Sequence, residues 1–127
     1  MEQVQQVSVP QVTVRVHSAV GTAVVSWCGD PKESDGQHHV EWTVAEDLDW
    51  GRNIQLSALA EAGLGQDGNQ VILRGRIDIS NPDTAVLEIA DSLIVFDLAA
   101  PLPGNIAAEW VEIRVAAASV FLYPFQL

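Results

Sequence analysis

Apolar and polar positions alternate along most of this chain with a period of two, not the 3.6 of an amphipathic helix. Val12, Val14 and Val16 interleave with Thr13, Arg15 and His17, and Val40, Trp42 and Val44 with His39, Glu41 and Thr43. Ile54, Leu56 and Ala58 continue the pattern. Val71, Leu73, Gly75, Ile77 and Ile79 share one phase against Arg74, Arg76 and Asp78; Val111, Ile113 and Val115 share one against Glu112 and Arg114. Successive side chains of a strand point to opposite faces, so each run reads as a strand with one face on a core and one in water.

Turn chemistry separates these runs. "CGDPKESDGQ", "GLGQDGN", "SNPDT" and "PLPGN" are loops by composition, with Pro82 placed for a type I turn and Pro103-Gly104 for a type II turn. The expected strands are 3–9, 11–18, 20–27, 38–45, 53–58, 70–79, 84–90, 92–99, 109–116 and 118–125, some of them halves of one bent strand. Changes of phase at Pro10, Gly21, Asp91 and around Ala116 to Ala118 signal bulges or bends. One short helix is expected in "SALAEAGLG", capped by Ser57 and stopped by Gly63. The pattern as a whole predicts an all-β single domain over 1–127, an antiparallel β-sandwich or barrel of about eight strands.

Composition narrows the setting. With 127 residues, 48% of them apolar, the chain can bury a substantial core, and no apolar run approaches the ~18 residues of a membrane-spanning helix. "MEQVQQVSV" lacks the basic start and continuous apolar stretch of a signal peptide, and Cys28, the only cysteine, has no partner for an internal disulfide. Both features favour a cytoplasmic location. Seventeen acidic against six basic residues give a formal net charge of −11. Such a field disfavours nucleic acid and anionic membranes, and it draws in basic partners, although acidity also serves solubility alone.

Few residues offer chemistry. Cys28, His38 and His39 with Asp30 or Asp35 are ligand types for zinc, yet adjacent histidines in a strand point to opposite faces, and no paired ligand spacing occurs. "PKESDG" starts like a calcium loop, but Pro31 holds the place of its first carboxylate and Trp42 that of its last. Cys28 beside a histidine would make a nucleophile only in an electropositive setting, and Asp30, Glu33 and Asp35 supply the opposite. Glu88, Asp91 and Asp97 give carboxylates with no distinguishing spacing, and Arg74 and Arg76 share a strand face where a small anion could sit. No nucleotide or nucleophile-elbow motif is present, so neither a catalytic residue, a metal nor a cofactor is expected.

"EWTVAEDLDWGRN" stands out instead. Trp42 belongs to the core phase, whereas Trp50 falls beyond it among Glu46, Asp47 and Asp49. A tryptophan among carboxylates suits recognition of Lys and Arg on a partner, or else Trp50 folds back as a cap on one end of the barrel. The uncharged "ASVFLYPFQL" must be covered, as a central strand or as an interface with another copy. The sequence therefore leans toward a non-enzymatic binding module, most specifically an inhibitor or immunity-type protein. Such a protein would neutralise a basic partner such as a toxin through Glu46, Asp47, Asp49 and Trp50. The alternatives are an assembly subunit forming a homo-oligomer through the C-terminal strand, and a small barrel enzyme or ligand carrier. The last predicts a lined cavity with at least one histidine among His17, His38 and His39, or Glu41, at its mouth.

Overall fold

The computed structural model describes residues 2–8 and 12–125, and eleven strands run through them. β1 (Glu2–Ser8), β2 (Thr13–Ser18), β3 (Gly21–Trp27), β4 (Gly36–Val44) and β11 (Val120–Phe125) form a closed ring. β1 pairs antiparallel with β2 and β4, β2 with β3, and β4 with β11. A parallel pairing of Phe121 and Leu122 with Ser26 and Trp27 closes the ring between β11 and β3. The ring order β1-β2-β3-β11-β4 makes a small closed five-stranded barrel. That architecture hosts unrelated functions, so it assigns none here.

The chain between β4 and β11 builds the remainder of the sheet: β5 (Ile54–Leu56), β6 (Gly63–Asp67), β7 (Gln70–Asn81), β8 (Thr84–Ile89), β9 (Ser92–Asp97) and β10 (Trp110–Ala116). The twelve-residue β7 is its axis. β10 lies along one edge of β7, while the other edge holds β6 as far as Arg74 and β8 from Arg76 onward. The exchange happens at Gly75, where any Cβ would collide with the Glu88 carbonyl oxygen. Only glycine lets β8 approach so closely. Strand pairing between insert and barrel is one parallel bridge, Gly21 to Leu64. Gly21 has φ 142°, and a side chain there would run into the Leu64 carbonyl.

The phase of the alternation holds where the strands are long. Val14 and Val16 of β2, Trp42 and Val44 of β4, Val71, Leu73 and Ile77 of β7, and Val111, Ile113 and Val115 of β10 are all buried. They join one contiguous hydrophobic cluster shared by barrel and insert. The protein is all-β, and helix among the described residues is confined to 3-10 turns at Pro31–Glu33, Gly104–Ile106 and Ala117–Ser119. The last of these accounts for the phase change expected near Ala116, whereas the break expected at Pro10 lies outside the described residues.

Several local expectations fail for identifiable reasons. "SALAEAGLG" forms no helix. Ser57 Oγ accepts from Leu59 N–H at 3.1 Å in a tight local turn, and a segment this short cannot repay helix nucleation without a packed face. Its Gly63 opens β6, which the sequence presents as loop: "GLGQD" has poor strand propensity and becomes a strand through its ladder to β7. Gly104 starts a 3-10 turn instead of the left-handed position of a type II turn; Ala108 takes positive φ (67°) a turn later. Leu56 lies at the end of the short edge strand β5 and is 53% exposed, so the alternation there does not mark core.

Candidate functional site

The partner exchange of β4 opens the barrel wall. β1 accompanies β4 only from Gly36 to His38, where Glu2 is the opposite residue; from His39 on, β4 pairs on its other edge with β11. Among the described residues the β1 side of β4 has no ladder partner beyond His38, and β9 lies against β4 without pairing. The gap so formed is a cavity of about 410 Å³ between barrel and insert. Trp42 and Val40 of β4, Val20 from the β2–β3 turn, and Leu64 and Leu73 of β6 and β7 form apolar walls. Ile89 and Ile94 of the β8–β9 hairpin close the far side. Glu2, Ser18, His39, Asp91 and Ser92 make its polar end, and no lysine or arginine lines it among the described residues.

Each polar group is placed by its element. Glu2 stands at the first described position of β1, opposite His38, and its Oε2 is buried without a hydrogen-bond partner. Burial raises its carboxyl above the usual carboxylate range; the N-terminal ammonium works against the rise, and the negative charge of Asp91 adds to it. Asp91 sits in the two-residue turn between β8 and β9, preceded by Ala90 at φ 51°, a left-handed conformation that glycine would take more easily. Ser18 is committed to its own turn, its hydroxyl donating to the Gly21 carbonyl (3.1 Å) and accepting from Val20 N–H (3.2 Å). A largely apolar cleft of this volume with a few convergent polar groups has the form of a small-molecule site.

The acidic tryptophan loop lies elsewhere and is internally tied. Buried Asn53 organises it: Oδ1 accepts from Asp49 N–H (2.8 Å), and Nδ2 donates to the Asp47 carbonyl (2.8 Å) and Glu46 Oε2 (3.0 Å). Glu46 also accepts from Ala116 N–H at 3.0 Å and pairs with Arg52 at 3.5 Å. Burial opposes its charge, but these donors outweigh it and hold the carboxyl below the usual range. Asp49 pairs with Arg52 at 3.6 Å. Trp50 is half-buried and packs against the core cluster, as the cap arrangement requires, while Asp47 is exposed.

The loop that holds Cys28 is largely structural. Asp30 caps the 3-10 turn by accepting from Lys32 N–H (2.9 Å), and buried Ser34 lies within hydrogen-bond distance of Gln6 Oε1 (3.1 Å). The His38 ring stacks at a tilt on Trp27, with centroids 5.2 Å apart. Cys28 is exposed, and its hydrogen bond to Tyr123 is the main cause of that phenol's raised pKa. Among the described residues no three His, Cys, Asp or Glu side chains gather into a metal-holding group. No helix among them is long and apolar enough to cross a membrane. Both edges of β11 are paired within the chain at Phe121 and Leu122, and Tyr123 beyond them is exposed.

Of the residues the sequence singled out, His39 and Asp91 reach the cavity, and Trp42 lines it from the core phase. Glu2, Ser18 and Ser92 carry no local signal, because the pairing that assembles them is long-range. No family model, curated protein or solved structure matches this chain, so its site is read from its own geometry.

Proposed function

We propose that the protein is a small-ligand-binding β-barrel that holds its ligand between the barrel and the β8–β9 hairpin. The observation that carries this reading is the apolar cavity of about 410 Å³ with carboxylates and His39 at one end. Its lining favours binding: apolar walls to hold a ligand's body and a few polar groups to orient it. A panel of small apolar molecules, each with one polar group, tests it by thermal unfolding. A ligand at about a hundred times its Kd should stabilise the native state by about 2.7 kcal/mol, raising Tm on the order of 10 °C for a chain this size. Val20→Phe, which fills the cavity from the β2–β3 turn, should abolish that rise while the protein stays folded. If no panel member shifts Tm or the Trp42 environment, the reading is wrong.

A second reading keeps the acidic surface as a docking face for a basic protein. It is favoured by the net charge of −11 and by exposed Asp47 beside Asp49, whose side chain is 47% exposed, and Trp50. Glu46 is the least available of the four, since its oxygens are bound within the chain. Association with such a partner should slow as salt rises. The D47N/D49N double variant should bind about ten times more weakly or worse; unchanged affinity would remove the face from consideration.

A further inference from the structure

The polar end of the cavity holds more acceptor than donor and more carboxylate than cation. Glu2 and Asp91 bring two carboxylates, His39 lines the same end, no lysine or arginine lines it among the described residues, and the N-terminal ammonium offsets part of the charge on Glu2. Ser18, one of the lining hydroxyls, spends its hydrogen on the Gly21 carbonyl. Glu2 Oε2 is thus a buried acceptor with no donor, a condition that native proteins rarely leave uncorrected and that costs about 1–3 kcal/mol. A donor carried by the ligand corrects it.

Charge decides which donor. An anionic ligand would face two carboxylates at short range and the field of an acidic molecule, whereas a neutral one would satisfy Glu2 without offsetting the charge. An ammonium group does both. Trp42, 8% exposed and in the wall, adds an apolar surface for the ligand's body and an indole whose face attracts cations.

We infer that the cavity takes an organic ammonium ion, with its apolar body against Trp42, Leu64 and Ile94 and its protonated amine between Glu2 and Asp91. The inference rests on the ligand-binding reading above. A bound cation would offset the effect of burial on the Glu2 carboxyl, acting in the same sense as the N-terminal ammonium.

Three probes with one body and different heads test it on the full chain: phenethylammonium, phenethyl alcohol and phenylacetate, titrated near pH 7 by calorimetry and amide NMR. The ammonium should bind about tenfold more tightly than the alcohol, with phenylacetate weakest. Glu2→Gln should bring ammonium and alcohol to within about threefold; Asp91→Asn should shift the ratio in the same direction by less. An alcohol that binds as well as the ammonium, or a ratio that survives Glu2→Gln in a folded variant, overturns the ammonium assignment and leaves the ligand-binding reading standing. If none of the three perturbs the cavity's amides, both fall.

Discussion

Glu46 and Glu2 are carboxylates with opposite fates, and the difference lies in their donors. Glu46 meets the Ala116 N–H, the Asn53 amide and Arg52, so its ionised form is favoured. Glu2 has one oxygen buried without a donor, so its ionised form is disfavoured. The two therefore enter the pH dependence of stability with opposite sign. Glu46's folded pKa lies below its unfolded value, so its contribution is complete above about pH 4.5 and is lost as pH falls through the folded value. Glu46→Gln should destabilise the protein by about 1–2 kcal/mol at pH 7, with the deficit shrinking toward pH 3, as measured by urea unfolding. Glu2 runs the other way, its burden present above the raised folded pKa and relieved as pH falls. At this scale the sequence showed the acids but not their donors: Glu46 is seventy residues from Ala116 along the chain, and no local pattern joins them.

Among the elements, the long strands were legible and the short ones were not. β7 and β10 announce their faces because each has at least three inward apolar residues in phase, and burying that many fixes the register against a slip. β6 has Leu64 and two glycines, and β5 only Ile54 as a buried apolar residue, so their pairing comes from what they lie beside. The expected helix at Ser57 to Gly63 failed for the same lack: Leu59 is 49% exposed and has no core to pack on. Gly75 is the element-scale feature with the largest predicted effect. Gly75→Ala would drive a methyl into the Glu88 carbonyl where β8 takes over from β6, forcing the two strands apart. A loss of about 2–4 kcal/mol is expected. Hydrogen exchange should show it at the β7–β8 ladder first. Equal stability to the parent would mean the crossover relaxes freely.

For the molecule as a whole, what matters is how the barrel and its insert meet. They share one hydrophobic cluster, but strand pairing between them is limited to one bridge at Gly21, with β9 lying against β4 unpaired, and the cavity is the space that this partial joining leaves. The acidity legible from composition now has a location as well as a sum: part of it is neutralised inside the Arg52–Asn53 loop, and part points into the cavity from Glu2 and Asp91. From the sequence by itself came the all-β class, the inward phase of the long strands, the core place of Trp42 and the negative field. These depend on local periodicity and on counts, which a linear chain displays directly. Tertiary structure alone decided the parallel closure of the ring, the exchange of partners along β4 and β7, and the meeting of Glu2 with Asp91. Each of those is a contact between distant segments, chosen by the burial of the whole core and not by any residue's near neighbours.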